Sequence, residues 1–189
     1  MGIENDDWDK AKSTFVKEVL INFFVAILRN KLVVIVDGND ENTKGAITIN
    51  SSTIGDLMTQ YFTSTEDNKE KIINPRPYFE AMTNSDIEPF TEILPTLGRV
   101  KLYLKEFNNT TRIIYMRKLL MKVYRKRRNL GQYNGVFICE DEHGNKILKD
   151  MEDPEHKSWN EEQCEKDDIT TSYDTASKAN WEIEDFVSR

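Results

Sequence analysis

The sequence is poor in the residues that build covalent scaffolds, metal clusters and phosphate-binding loops. Its 189 residues include only 2 cysteines, 2 histidines and 8 glycines. Two cysteines are too few for a disulfide framework. The sequence also has neither a glycine-rich loop that would cradle phosphates nor a GxSxG nucleophile elbow. These absences predict a chain that carries no complete active site and is not an enzyme on its own.

Long hydrophobic runs are missing as well. The longest, residues 19–28, is interrupted by Asn22 and is too short to span a bilayer. Residues 1–8 are acidic and polar, and they do not resemble a signal peptide. Together with the few cysteines, this pattern predicts a reducing, cytoplasmic location and no membrane partner.

Charge is abundant but unevenly distributed. Charged residues make up 31 % of the chain, and the net charge is −7. Residues 140–189 contain 16 acidic and 6 basic residues, a balance of −10. Residues 1–139 contain the other 17 acidic and 20 basic residues, a balance of +3. The two parts should therefore attract each other or attract different partners.

In residues 1–95 the hydrophobic spacing predicts a helix, a hairpin and a second helix. Apolar residues at i, i+3, i+4 and i+7 indicate an amphipathic helix over 9–29. Short β-branched runs at 32–36 and 46–49 are predicted to pair as strands. Ser52, with an acidic residue one turn later, predicts the start of the second helix.

Prolines are expected to interrupt the chain before a boundary near Pro95. Pro75 and Pro77 fix φ and remove backbone donors, so residues 74–77 are predicted not to be helical. Pro89 and Pro95 predict irregular chain in the stretch that follows. The subdomains expected from this pattern are residues 1–95, 96–150 and 151–189.

Residues 96–150 are predicted to form an antiparallel sheet. Alternating or β-branched runs indicate three strands, residues 99–106, 111–116 and 135–139. Asn108 and Asn109 would form the turn of a hairpin between the first two strands. Residues 119–124 are too short an apolar run to distinguish strand from helix. Residues 143–145 predict a turn after the last strand.

The acidic last part is poor in apolar residues, and within it residues 160–175 are predicted to be mobile. A final helix is predicted from about Thr175, with apolar contacts from Trp181, Ile183, Phe186 and Val187. Trp159 and Trp181 are interpreted as docking this helix onto the core, with partner recognition as the alternative. The predicted fold class is α/β of the α+β type, a mainly antiparallel sheet with packed helices.

The strongest local feature is a basic cluster. Its cations are Arg117, Lys118, Lys122, Arg125, Lys126, Arg127 and Arg128, with Tyr115 and Tyr124 interleaved. Such a cluster suits phosphate groups, by charge and by the fork geometry of arginine. Two alternatives stay open: a solvated edge strand that its charges keep from aggregating, and pairing with the acidic last part. A strand would divide these cations between two faces, whereas a helix would gather several on one side.

The sequence offers weak support for metal binding or nucleophilic catalysis. Cys139 and His143 are four residues apart, and His156 and Cys164 are eight apart, which is not the paired ligand spacing of zinc sites. Cys139 is predicted to be a buried strand residue. The carboxylates of residues 140–142 should raise the pKa of its thiol.

Seven short strings carry a family resemblance, and they are residues 22–27, 97–104, 112–118, 134–139, 144–148, 151–159 and 181–187. Together they resemble the C-terminal half of bacterial ATP-binding proteins of the GHKL superfamily, which groups gyrase, heat-shock chaperones, histidine kinases and MutL. The likeness spans most of the chain. The last string resembles the closing helix of that group.

In this superfamily an N-terminal domain binds ATP, and a following α/β transducer domain lends a cation to the γ-phosphate. The resemblance implies that this chain is such a transducer, with a fold similar to that of a ribosomal protein. It also implies that Arg117 or Lys118 supplies the cation, which would stabilise charge developing in the transition state. The chain would couple ATP-driven closure to a substrate in nucleic-acid maintenance or phage defence.

The ATP-binding half of the superfamily is not found in this sequence. It has no motif for an Mg²⁺-holding Asn, no DxGxG-like segment and no glycine-rich lid, and residues 37–39 (Asp-Gly-Asn) do not replace them. No cofactor is therefore expected on this chain alone. ATP and Mg²⁺ are expected on a GHKL ATPase domain, fused to this chain or separate.

Two other functions fit the same residues. A stand-alone nucleic-acid-binding module would hold phosphates with Lys122, Arg125, Lys126, Arg127 and Arg128 and stack a base on Tyr124, with strong salt dependence. The acidic last part would compete with nucleic acid for that surface. A structural or protein-interaction protein, such as a viral one, would instead meet a protein partner through its acidic tail, and a homo-oligomer is compatible with that function.

Overall fold

The computed structural model describes residues 5–37, 45–62, 74–106, 112–117, 121–126, 133–154, 158–165 and 169–189. The fold is α+β, with a mostly antiparallel open sheet and a C-terminal helix, which confirms the predicted class. The chain divides into two compact units, Met1–Phe79 and Glu80–Arg189. This division lies earlier than Pro95, and residues 96–189 belong to one unit. Within the described ranges, none of the helices has the length and apolarity that a membrane crossing needs.

The first unit begins with helix α1 (Asn5–Leu28), as the apolar spacing predicts. Its buried side is aliphatic and aromatic and includes Val16, Val19, Leu20, Phe24 and Ile27. The helix ends because Asn30 adopts a left-handed backbone, with φ 56°. The N–H of Lys31 then donates to the carbonyl of Ala26 at 2.8 Å, which is one bond of a Schellman motif.

Strands β1 (Val34–Val36) and β2 (Ile47–Ile49) pair antiparallel, and helix α2 (Ile54–Tyr61) follows, as predicted. Asn50 organises the turn before α2. Its Oδ1 atom accepts hydrogen bonds from the backbone N–H groups of Ser52 at 2.9 Å and Thr53 at 3.1 Å. A side chain upstream of Ser52 therefore satisfies two backbone donors in the turn that precedes the helix.

Helix α3 (Arg76–Thr83) begins inside residues 74–77, so the prediction that this segment is not helical is wrong. Pro77 lies in the first turn, where a helix has no partner for the N–H that proline lacks. The Oδ1 atom of Asn74 accepts a hydrogen bond from the N–H of Arg76 at 3.0 Å. The prolines therefore mark a helix start here instead of excluding a helix.

The second unit contains a five-stranded sheet. Its strands are β3 (Phe90–Leu94), β4 (Gly98–Glu106), β5 (Arg112–Arg117), β6 (Met121–Lys126) and β7 (Tyr133–Cys139). The strand order is β3-β4-β7-β5-β6, and only the β5–β7 pair is parallel. The ambiguous run at residues 119–124 therefore belongs to a strand in its described part.

The predicted hairpin between residues 99–106 and 111–116 is wrong, because β7 lies between β4 and β5. The run 136–138 in β7 is buried on both sheet faces, as expected for a strand with neighbours on both sides. Gly135 permits the close approach of β4, because a Cβ there would lie 2.9 Å from the Tyr103 carbonyl oxygen. Asn108 and Asn109, the predicted turn, lie outside the described residues.

The stretch between Pro89 and Pro95 is strand β3, so the prediction of irregular chain is wrong there. The prolines flank an edge strand, where they remove no hydrogen bond from the interior of the ladder. The β3–β4 hairpin closes at Gly98, whose φ of +71° favours glycine.

Helix α4 (Glu142–Asp150) occupies the place of the turn predicted at residues 143–145, so that prediction is also wrong. The Asp141 side chain caps the helix by accepting a hydrogen bond from the N–H of His143 at 2.9 Å. Gly144 is a close-packing residue. A Cβ at this position would lie 2.1 Å from the Leu97 carbonyl oxygen and 2.7 Å from the Cys139 sulfur.

The core of the second unit lies between one sheet face and the C-terminal elements. Helix α5 (Tyr173–Ser188) begins slightly before Thr175, and its side chains Ile183, Phe186 and Val187 are buried as predicted. Trp159 is buried in this core, whereas Trp181 is 67 % exposed, so the predicted docking role of Trp181 is wrong. A 3-10 helix, Glu161–Glu165, buries Cys164, so this part of residues 160–175 is packed.

Gly144→Ala should destabilise the second unit, because the new methyl group would overlap backbone atoms of the β3–β4 turn. Overpacking of this kind costs about 1–3 kcal/mol. Gly55→Ala in α2 is the control: its Cβ would meet only Phe79, at 3.8 Å, and a helical alanine is favoured over glycine. Thermal unfolding of both variants would measure the effect, and equal melting temperatures would contradict the close-packing role of Gly144.

Candidate phosphate-binding site

The described residues of the basic cluster lie on strands β5 and β6, at an edge of the sheet. Strand β6 is the last strand of the order, and it pairs antiparallel with β5. In this register Lys122 is opposite Met116, Tyr124 is opposite Ile114, and Lys126 is opposite Arg112. Because alternate residues of a strand belong to opposite faces, position 125 falls on the other face. The strand thus divides the cations between two faces.

The segment that contains these two strands has no acidic residue. From Phe107 to Cys139 there are 8 lysines and arginines and no aspartate or glutamate. The sequence cluster begins at Arg117, but strand pairing adds Arg112, because the register brings it opposite Lys126. The predicted cluster, which begins at Arg117, leaves this residue out. The edge hairpin is therefore a cationic element in a chain whose net charge is −7.

Arg117 is held by a carboxylate. Its Nε and Nη2 atoms donate to the two carboxylate oxygens of Glu152, and the Nη2–Oε2 distance is 2.8 Å. The exposed side-chain fraction is 18 % for Arg117 and 5 % for Glu152. A two-bond arginine–carboxylate pair of this kind is strong and fixes both partners in orientation. This ion pair is one contact of the kind predicted between the basic cluster and the acidic residues 140–189.

The described residues near this pair, 151–154 and 158–160, pack beside the end of β5. Glu152 and Trp159 form an antiparallel bridge, and the Ser158 hydroxyl donates to the Asp153 carboxylate at 2.7 Å. The ring of Trp159 meets that of Tyr115 edge-on, with centroids 6.3 Å apart. Tyr115, predicted as an aromatic interleaved with the cations, is therefore a buried core residue.

The remaining candidate residues belong to β6 and to the segments that flank it. Lys118, Arg127 and Arg128 lie outside the described residues. Lys122, Tyr124, Arg125 and Lys126 are placed by the backbone of β6. Their positions on one edge strand agree with a shared surface, whereas Arg117 at the end of β5 belongs to the ion pair.

Cys139 ends β7 as a buried strand residue, as predicted. Burial raises the pKa of its thiol to about 12, and the charges of Asp141 and Glu140 also raise it, while a hydrogen bond with the Asp141 backbone lowers it. The thiol therefore stays protonated at neutral pH and is a poor nucleophile. In the part of the chain that the structure describes, no three His, Cys, Asp or Glu side chains could hold a metal ion. His156 lies outside that part.

Arg117→Ala should lower the free energy of unfolding of the second unit by about 3 kcal/mol, because it leaves the buried Glu152 carboxylate without its guanidinium. Arg189 provides a control, since it pairs with Glu92 and Asp185 in an exposed setting. Arg189→Ala should cost less than about 1 kcal/mol. Urea unfolding of the two variants measures both effects. A loss at Arg117 no larger than that at Arg189 would show that the pair contributes little.

No protein-family model matches this chain, and neither a curated protein nor a solved structure matches it. The resemblance to the GHKL superfamily accordingly stays a prediction from short strings. Function has to be inferred from the charges and the strand register of the fold.

Proposed function

We propose that this chain is a cytoplasmic nucleic-acid-binding module without an active site of its own. The observation that supports this proposal is the acid-free segment 107–139, whose described cations lie on strands β5 and β6 at one edge of the sheet. Lysines and arginines that neutralise phosphates release condensed counterions, and this release drives sequence-independent binding. An edge strand has one side free of a neighbouring strand, so a phosphate backbone can approach it along its length.

The alternation of β6 suits a ligand with charge on two sides of the strand. Lys122 and Lys126 share one register face with Tyr124, and Arg125 belongs to the other. Strand β5 is paired on both sides, so β6 is the strand of the β5–β6 hairpin whose open edge can lie along a phosphate backbone. Tyr124 adds a ring on which an unpaired base could stack. We therefore assign phosphate binding to the cations of β6 and of the residues after it, Arg127 and Arg128.

The rest of the chain would orient the ligand. Residues 140–189 carry a balance of −10, which repels phosphate, while the hairpin attracts it. This acidic part cannot be deleted as a test, because its side chains Trp159, Ile183 and Phe186 belong to the core of the second unit. Point substitutions on β6 are therefore the appropriate variants.

Lys122, Arg125 and Lys126, changed together to Ala, should weaken binding to labelled single-stranded and duplex DNA by at least about tenfold near physiological salt. The slope of log K against log salt should fall by up to about 3, because up to three fewer phosphates are neutralised. The control changes Lys10, Lys146 and Lys149, three exposed lysines, to Ala and removes the same charge. Fluorescence anisotropy over a salt series gives both quantities.

Equally weakened binding in the two triple variants would mean that net charge alone drives binding, and the assignment to β6 would fail. Circular dichroism of each variant would show whether the fold is retained. Absence of binding by the unchanged chain, to DNA and to RNA, would end the nucleic-acid proposal.

A second candidate is the transducer function that the GHKL resemblance implies. It is favoured by one observation: the Arg117–Glu152 pair fixes the end of β5, and Lys118 is the next residue in the chain. Arg117 is engaged by Glu152, so Lys118 is the better candidate for a cation that reaches the γ-phosphate of ATP on a partner domain. Such a cation stabilises the charge of phosphoryl transfer.

Lys118→Ala should lower the ATPase rate of the native complex by at least about tenfold, as expected for loss of a transition-state cation. The complex would be recovered from its native cells through a small tag on this chain. Lys149→Ala, an exposed lysine on α4, is the control and should leave the rate unchanged. A complex without ATPase activity, or equal rates in both variants, would remove the transducer role.

A further inference from the structure

A large aromatic ring lies exposed on the outward side of α5. Trp181 is 67 % exposed, although the next two residues, Glu182 and Ile183, are buried. Tyr173, at the start of the same helix and about two turns before Trp181, is 43 % exposed. Exposed tryptophan and tyrosine are enriched at protein interfaces, where a rigid ring gives contact area at low entropic cost.

The exposed charges of α5 near Trp181 have an acidic excess. Asp174 and Glu184 are exposed, against one exposed cation, Lys178, and the whole segment 140–189 has a balance of −10. The face of a tryptophan ring is the best aromatic acceptor for arginine and lysine cations. The chemistry that fits this helix face is therefore a strand or loop rich in lysine and arginine.

The chain itself carries such a segment, strand β6, at an edge of the sheet that α5 packs on. The Glu182 carboxylate accepts hydrogen bonds from the N–H and hydroxyl of Thr96, and Arg189 pairs with Glu92. Phe186 also packs against Phe137 of the central strand β7, so α5 lies across a face of the sheet. Trp181 is on the opposite, solvent-exposed side of the helix. Because the ring faces away from the sheet that contains β6, a β6 strand of a second copy can reach it more readily than the β6 strand of its own chain.

We propose that the outward face of α5 around Trp181 binds strand β6 of a second copy of this chain. The contact is heterologous, since it joins two different surfaces, and each copy keeps one free surface of each kind. It does not require nucleic-acid binding. It uses the same strand, however, so nucleic acid and a second copy compete for β6.

Two variants test the contact because each removes one surface. Trp181→Ala keeps β6, and the Lys122, Arg125, Lys126 triple alanine variant keeps the α5 face. Neither should associate alone, but an equal mixture should form a 1:1 dimer, because one intact surface of each kind remains. Phe90→Ala, which removes another exposed aromatic residue, is the control and should associate like the unchanged chain. Sedimentation velocity at low salt distinguishes these species.

Persistent association of either variant alone would place the interface elsewhere and overturn the proposal, as would a mixture that stays monomeric. A monomeric unchanged chain at the highest soluble concentration would overturn it as well. The proposal fails independently of the nucleic-acid function, because Trp181→Ala should bind labelled DNA at least as tightly as the unchanged chain. If Trp181→Ala loses DNA binding, Trp181 belongs to the nucleic-acid surface and the contact between copies is rejected.

Discussion

The position of β7 between β4 and β5 is the constraint on which the second unit depends. The apolar run 136–138 is buried on both sheet faces. A strand of this kind is stabilised most when it is paired with a neighbouring strand on each side. It pairs antiparallel with β4 and parallel with β5. The β5–β6 hairpin is thereby carried to the outside of the sheet. The cations of β6 consequently lie on an edge strand, where charged side chains can keep their hydration and discourage edge-to-edge pairing.

Parallel pairing of β5 with β7 also brings the ends of these two strands to the same end of the sheet. Arg117 and Cys139 are directly opposite each other in that register. The chain continues from Cys139 into the Asp141 cap and α4, and then returns Glu152 to Arg117. An acidic segment that looks like a solvated tail by composition is thus folded over the sheet. Its carboxylates orient a strand end and, at Glu182, hold a turn.

Periodicity predicts the elements better than it predicts their neighbours. α1, β4 and β7 follow from apolar spacing, because a local pattern decides which residues can face a core. The β4–β7–β5 strand order does not follow from apolar spacing, because it depends on which strand is buried on both faces. Gly144 falls in a predicted turn because a glycine required for close packing has the same sequence signal as a turn glycine. Glycine is required at position 144 because the carbonyl oxygen of Leu97, 47 residues earlier in the chain, leaves no room for a Cβ.

The candidate site shows the same limit. Composition identifies the cations of the cluster, but it cannot reveal that Arg117 is committed to Glu152, 35 residues later. It also cannot add Arg112, which joins the cluster only through strand register.

Ionic strength should distinguish the two ligands proposed for β6, nucleic acid and a second copy of this chain. Binding to a polyanion weakens steeply with salt, because every neutralised phosphate releases counterions. A contact with Trp181 keeps its apolar part when charges are screened, so a second copy should compete best at high salt.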